Sequence, residues 1–360
     1  MSELLSPKDA LSWLKQNPAQ AAWVDVRSEE EFKTAAVPTF VNLPILNNEE
    51  RHLVGLCYKE KGQDQAIQLG HKLVQPHQEL RENSWLKHID QSLGKIAVVS
   101  CWRGGLRSKT ACDWIEGRGG RTFRIQGGYK AMRAELMTVL ENLPPLIVLS
   151  GLTGSGKTRL LQSLQTPKTD LEEHAKHRGS TFGIRVDAPQ PSQASFENLV
   201  LLDLLNEKQP VVVEDESIRI GQVQIPLVMK NRMYESPVVW VETPLEERIQ
   251  FIFEEYVLEP LNLGLAHEAC LERLVQCLWI LRSKLGLALT QDLIISLKNA
   301  FSKETQIVES HSFWIETLLV DYYDKLYRYS FEKRPRDIIF KGNIKECKSW
   351  IQNRYDSHKP

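Results

Sequence analysis

Residues 151–158 read GLTGSGKT and match the spacing G-x-x-x-x-G-K-[ST] at every fixed position. The apolar run LIVLS precedes them and RLLQSL follows. An apolar strand that turns through glycines into a helix lets backbone N–H groups wrap an anion. Gly151, Gly154 and Gly156 free the backbone, and Thr153 and Ser155 occupy the turn between them. Lys157 adds a point charge, and Thr158 offers a hydroxyl suited to Mg2+. Such a turn belongs at the carboxyl end of a strand in a parallel sheet, so the chain around it must be α/β.

Buried-strand candidates nearby fit that requirement. PVVVEDES places Glu214 and Asp215 at a strand end, where either can act as the acid opposite a phosphate cradle. SPVVWVE is a further strand, and TPLEERIQFIFEEYV is a helix with Thr243 ahead of Pro244 as its N-cap. No adenine-recognition pattern accompanies the cradle. ATP, GTP or another diphosphate all remain open as its ligand.

The first third of the chain alternates strand and helix in the same way. AAWVDVRS, FVNLPI, KIAVVS and RTFRIQGGY read as strands, and MSELLSPKDALSWLKQ opens on an amphipathic helix. SEEEF starts a helix with Ser28 and Glu31 in capping-box spacing. SKTACDWIEGRG is a helix closed by glycine, and another covers residues 130–141. NLPPL then breaks the pattern with two prolines. From Leu265 onward the chain reads as helices rich in Leu, Trp and Tyr. We therefore expect one α/β domain over residues 1–143, a phosphate-binding α/β domain over 144–264, and a helical region over 265–360 packed on the second.

A 360-residue chain with 42% hydrophobic and 25% charged residues is an ordinary globular protein. No apolar run approaches the ~20 residues of a membrane span, and the N-terminus lacks the layout of a signal peptide. We expect a cytoplasmic protein with no membrane partner. The net charge of −1 gives no whole-chain attraction for nucleic acid, so RNA binding would need cations gathered on one face. None of the six cysteines forms a CxxC pair, which argues for free thiols and no metal site.

One of those thiols stands apart. Residues 100–108 read SCWRGGLRS, directly after the strand KIAVV. Cys101 and Arg107 have the spacing C-x5-R, with Gly104 and Gly105 between them and Ser108 after. Inward-pointing N–H groups, a helix N-terminus and nearby arginines would draw this thiol toward thiolate. Arg107 can grip an oxyanion in bidentate fashion. Arg103 faces solvent or makes a second anion contact. Loops of this spacing occur in cysteine phosphatases and in rhodaneses. The flanks separate them: WVDVRSEEEF resembles the early strand-turn-helix of a rhodanese, and IQGGYKAM resembles its closing strand and glycine pair.

A rhodanese-like domain followed by a P-loop NTPase-like domain is a rare pairing. The chain resembles the bacterial tRNA 2-selenouridine synthases over roughly its whole length. The resemblance is tightest at SCWRGGLRS, GLTGSGKT, DLEEHAKHRGSTFG and VEDES. It implies a two-step exchange at the wobble 2-thiouridine of tRNAs for Lys, Glu and Gln. Geranyl diphosphate alkylates the sulfur, and selenophosphate then replaces the S-geranyl group with selenium. It also implies a selenophosphate-producing enzyme as a partner. On that reading Cys101 handles selenium, and Lys157 with the cradle amides stabilises the departing diphosphate. His174, Lys176, His177 and Arg178 become candidate contacts to tRNA or diphosphate. FEKRPRD, residues 331–337, is a weaker basic candidate. The oligomeric state and the position of a geranyl pocket are left open. A phosphatase fused to a kinase-like domain, or a non-catalytic RNA-binding or sulfur-relay module, would give different products or none.

Overall fold

The computed structural model describes residues 2–303 and 305–356. The chain divides into two compact units. One comprises Met1–Asn142 together with Ser192–Asn206, and the other Leu143–Pro191 together with Glu207–Pro360.

The first unit is built on a five-stranded parallel sheet. Its strands are β1 (Glu3–Leu5), β2 (Ala22–Asp25), β3 (Val41–Asn42), β4 (Ile96–Ser100) and β5 (Arg121–Ile125), in the order β1-β5-β4-β2-β3. The central strands read as continuous apolar runs because helices cover both faces. Val24, Val98, Val99 and Trp23 are fully or almost fully buried. The N-terminus differs from the expected single helix. Residues 3–5 pair with β5, and the helix Pro7–Gln16 begins after Ser6, whose side chain accepts the Asp9 N–H. The capping box at Ser28 and Glu31 forms as expected. Two helices, Asn48–Lys61 and Gln63–Val74, follow β3.

The helix Gln193–Leu204 lies within the second half of the sequence yet belongs to the first unit. Asn198, fully buried, donates to the Ala36 carbonyl at 2.7 Å and accepts from Arg133 at 2.8 Å. Lys15 donates to the carbonyls of Asp203 and Leu205. These bonds satisfy a buried amide and the end of the helix, where carbonyls lack intrahelical partners.

The second unit carries its own five-stranded parallel sheet. Its strands are β6 (Leu146–Ser150), β7 (Lys168–Thr169), β8 (Val211–Glu214), β11 (Val238–Val241) and β12 (Ile338–Gly342), in the order β12-β11-β6-β8-β7. Between β8 and β11, a small hairpin forms from β9 (Arg219–Ile220) and β10 (Val223–Gln224). β12 corrects the expectation of an all-helical C-terminal region. It pairs in parallel with β11, and the helix Ile344–Asp356 returns over the sheet. Its half-exposed edge position gave no apolar run to read. The intervening helices from Leu245 to Lys333 form a separate apolar core around Val257, Leu274, Leu278, Leu293 and Trp314. Thr243 is not the N-cap of the helix Leu245–Phe253. Pro244 holds that position, and the Thr243 hydroxyl donates to the Ser155 carbonyl at 2.8 Å.

Among the described residues the six cysteines form no disulfide, and no helix is long and apolar enough to cross a membrane.

Candidate functional site

Each unit presents a glycine-rich turn at the carboxyl end of a central parallel strand, the usual place for ligands in such sheets.

In the first unit the turn follows β4. Cys101 is 3% exposed, at the base of the loop. Its thiol donates to Ser108 Oγ at 3.2 Å, and that hydroxyl donates to the Gly105 carbonyl. The helix Leu106–Gly117 starts directly after Gly105. Among the described residues, the backbone N–H groups of residues 102–106 make no hydrogen bond within the protein. Successive unpartnered N–H groups at a helix N-terminus form a nest for an anion.

Two glycine pairs hold this loop. Gly104 has φ +63°, and a Cβ there would lie 2.4 Å from the Ile125 carbonyl. Gly128 has φ +60°, and a Cβ there would lie 2.1 Å from the Cys101 carbonyl. Only glycine permits such an approach of two backbones. The contact is sealed by the Tyr129 N–H to the Cys101 carbonyl, 2.8 Å, and the Lys130 N–H to the Trp102 carbonyl, 3.1 Å. IQGGYKAM is therefore the seat of the cysteine loop.

The arginines divide as their positions suggest. Arg103 is exposed. Arg107 directs both terminal nitrogens at the carboxylate of Glu31, the nearer at 2.5 Å. Burial pushes the Glu31 carboxyl up, but the Arg107 guanidinium outweighs it and holds the group below its ordinary range. A third arginine was not anticipated. Arg27 is fully buried, grips Asp25, donates to the Ala35 carbonyl at 2.7 Å, and lies 4.2 Å from the Tyr129 ring centroid. It braces the seat, since Tyr129 in turn stacks on Trp102 of the loop. The signal available in sequence was only the alternation of Asp25 and Arg27 at a strand end.

In the second unit the turn follows β6, all of whose residues are buried. Gly154 and Gly156 have φ +75° and +78°. A Cβ on Gly156 would lie 2.7 Å from Ile344 and 3.1 Å from Phe251. Lys157 Nζ curls back to the carbonyls of Gly151 and Leu152, at 3.2 and 3.3 Å. Thr158 Oγ1 lies 3.1 Å from Glu214 Oε2 and 3.5 Å from Glu172 Oε2. Ser155 Oγ and Glu214 Oε1 are buried with no protein partner.

The two acids at the end of β8 face different ways, as successive strand residues do. Glu214 is 1% exposed and meets the cradle. Asp215 accepts from Ser150 Oγ and Tyr327 Oη, each at 2.8 Å, and from both terminal nitrogens of Arg336. Burial raises the Asp215 carboxyl, and Arg336 overcomes it, so the net direction is down. Burial pushes Glu214 and Glu172 well above the carboxylate range, with Glu216 as the next cause in both. Glu216 itself is pushed up to about 7, again by burial, with Lys157 pulling it down.

Of the other cation candidates, His177 and Arg178 are turned inward. His177 is 7% exposed, and burial lowers its pKa. Arg178 donates to the Glu255 carbonyl at 3.1 Å and pairs with Glu259. Lys176 pairs with Glu173. Arg178 does line a polar cavity of about 350 Å3 together with Thr158, Arg159, Asp170, Glu172 and Arg185. In FEKRPRD, Arg336 is a buried partner of Asp215 and not a surface cation. Sequence reasoning also missed Glu172, Lys230 and Arg248. Arg248 Nε donates to the Thr153 carbonyl at 2.9 Å, and its terminal nitrogens hold Asp324 in a buried pair.

Comparisons with known proteins bear on both units. Residues 144–358 match the family model described as the tRNA 2-selenouridine synthase AAA domain. A tRNA 2-selenouridine synthase from Cronobacter sakazakii is 38% identical, covering 92% of this chain and 93% of its own. One from Cupriavidus pinatubonensis is 39% identical, covering 92% and 94%. One from Pseudomonas syringae pv. tomato is 38% identical over the same shares. With a near-complete match in length to these relatives and a family match across the second unit, the chain belongs to the tRNA 2-selenouridine synthase family.

Proposed function

We propose that this chain is a cytoplasmic transferase that converts the wobble 2-thiouridine of tRNAs for Lys, Glu and Gln into 2-selenouridine, in two steps with two donors. The observation that carries the proposal is the presence, in one chain of this family, of two anion cradles with different chemistry. One is glycine-rich with a lysine and carboxylates, suited to a diphosphate. The other is built around a thiol, as in the rhodaneses that its flanks resemble.

The cradle at residues 151–158 holds geranyl diphosphate by its N–H groups and Lys157. The sulfur of 2-thiouridine attacks the first carbon of the chain. The C–O bond breaks, its electron pair leaves with diphosphate, and the N3 proton passes to solvent. Lys157 and the amides stabilise the charge that develops on the leaving oxygen. Alkylation matters because a thiocarbonyl sulfur cannot leave, whereas a thiolate can. In the second step the selenium of selenophosphate adds at C2 of the base. The C–S bond breaks and geranylthiolate departs to take up a proton. Water then removes the phosphoryl group from selenium as phosphate. The nest over Cys101 holds the phosphoryl oxygens of the selenium donor for this step, and the Cys101 thiol at its base donates to the selenium and seats it. A selenophosphate-producing enzyme must supply it.

Mg2+ fits the first cradle. Glu214 Oε1 is a buried acceptor without a partner, beside the Thr158 hydroxyl. Among the described residues no three His, Cys, Asp or Glu side chains form a metal cage. Thr158 and Glu214 would therefore share the ion with phosphate oxygens, as Mg2+ sites commonly do. Bound Mg2+ would neutralise diphosphate charge.

The test is nucleoside mass analysis of 2-thiouridine tRNA incubated with the protein and each donor, alone and together. S-geranylated nucleoside with geranyl diphosphate alone, and 2-selenouridine with both, is the expected result. Unchanged 2-thiouridine throughout, with folded protein, overturns the proposal. Phosphate release from an aryl phosphate would favour a phosphatase instead.

A further inference from the structure

Two tryptophans are left exposed among the described residues, Trp102 at 39% and Trp279 at 43%. They differ in what stands behind them. Trp279, on the helix His267–Leu285, has Arg282 at 5.8 Å from its ring centroid and no aromatic ring beside it among the described residues. Trp102 is stacked on Tyr129, with centroids 5.5 Å apart and planes 24° apart. Tyr129 is buried, and Arg27, itself fixed by Asp25, lies 4.2 Å from its centroid. The Lys130 N–H holds the Trp102 carbonyl at 3.1 Å. A flat ring braced in this way loses little further freedom when a ligand covers its open part.

The ring also stands beside the chemistry. Trp102 directly follows Cys101, the thiol at the base of the loop. A Cβ added at Gly105 would meet nothing within 4 Å, so the space over the loop is open. Arg103 is the next residue in the chain, and Lys130 is joined to Trp102 by the backbone bond above. Both are exposed, and neither makes an ion pair among the described residues. Arg27 and Arg107, by contrast, are both committed to carboxylates. The loop therefore carries two cations that its own fold does not use.

A braced aromatic ring with unpaired cations at its edge is the combination that holds single-stranded nucleic acid. The ring stacks on a base, and the cations meet the phosphates on either side. A small anion would have no need of the ring, and a hydrocarbon no need of the cations. Chemistry on a base also requires that the base leave its own stack and be received elsewhere.

We infer that Trp102 is the platform on which the wobble base stacks while its C2 is presented to the Cys101 nest, with Arg103 and Lys130 on the flanking phosphates. The inference rests on the selenium-exchange reading above and adds to it the seat of the base. Trp102 is on this account a positioning residue.

Fluorescence anisotropy with the full chain and two labelled anticodon stem-loop RNAs tests it. One RNA carries 2-thiouridine at the wobble position, and the other an abasic ribose there. Wild-type protein should bind the first more tightly by roughly 5–150-fold. Trp102→Ala should abolish that difference while binding the abasic RNA as wild type does, and Trp102→Phe should keep most of it. Arg103→Ala combined with Lys130→Ala should weaken both RNAs alike and flatten the salt dependence by about one unit of slope per lost phosphate contact. If Trp102→Ala does not fold, Trp102→Leu decides, since it keeps apolar bulk without a ring and should lose the same preference. Wild-type protein that does not distinguish the two RNAs overturns the inference. So does a Trp102→Ala protein that weakens both equally, which is the mark of a merely structural role. Trp102→Leu binding as wild type does would replace stacking with plain apolar contact, and overturns it too. Base-selective binding that depends on Trp102, with no 2-selenouridine formed, would keep the platform and discard the reaction. Formation of 2-selenouridine by Trp102→Ala at the wild-type rate with subsaturating tRNA would discard the platform and keep the reaction.

Discussion

The two cradles solve the same problem with opposite electrostatics. Around Cys101 the charges are matched within the protein: Arg107 faces Glu31, and Arg27 faces Asp25. The loop is held by backbone on backbone, with Gly104 and Gly128 at positive φ. Around Lys157 the charges are not matched. Glu172, Glu214 and Glu216 all sit above their ordinary pKa values, with Lys157 acting on all three and Lys230 on Glu216 as well. That turn is held by side chains, with Phe251 and Ile344 over its glycines and Arg248 on its carbonyl. A balanced site can wait for its ligand at any moderate pH. An unbalanced one needs protons or a cation, so the first step should depend on both and the second on neither.

The strongest way to break that contrast is Lys157→Met. Removing the charge that faces the leaving group should lower S-alkylation by roughly 10²–10³-fold. Selenium transfer to pre-alkylated tRNA should continue, as read by nucleoside mass analysis. Loss of both steps would mean the cradles are not independent.

Gly128→Ala probes the other scaffold. The new Cβ would meet the Cys101 carbonyl at 2.1 Å with φ held at +60°. Strain of this kind costs on the order of 1–3 kcal/mol, and relief of the clash should shift the loop. Thermal melting should show the loss, and selenium transfer should fall while alkylation persists. An unchanged melting curve would show that the glycine seat is not needed.

The smallest effect is a pH slope. Glu216 has its pKa raised from 4.5 to about 7 in the folded protein. Its contribution to stability is therefore fully present below about pH 4.5 and is lost as pH rises through 7. Melting temperature should drop over that window, and Glu216→Gln should flatten the slope. Mg2+ with diphosphate should restore stability on the alkaline side. A wild-type slope identical to that of the variant would remove Glu216 from the cluster.

How much could be read in advance follows the same contrast. The cysteine loop, its glycine seat and the capping box are carried by short motifs whose residues sit where local geometry requires them. Both parallel sheets announced themselves through buried runs such as KIAVVS and LIVLS. What stayed hidden depends on contacts far along the chain. β12 is an edge strand whose exposed positions dilute any pattern. The helix Gln193–Leu204 has ordinary helical composition, and nothing local tells which unit it joins. Arg336 looked like a surface cation because its partner Asp215 lies more than a hundred residues away. Thr243 had the chemistry of a cap but found the Ser155 carbonyl first. Of the three acids in VEDES, only the strand's face could assign Glu214 to the cradle.

The division of labour between the cradles is tested most directly by one variant. Cys101→Ala would be incubated with 2-thiouridine tRNA, geranyl diphosphate and selenophosphate, and its nucleosides analysed by mass. S-geranyl-2-thiouridine should accumulate with no 2-selenouridine. Normal 2-selenouridine, or loss of the geranylated nucleoside from a folded variant, would contradict the assignment of selenium to the thiol and alkylation to the lysine.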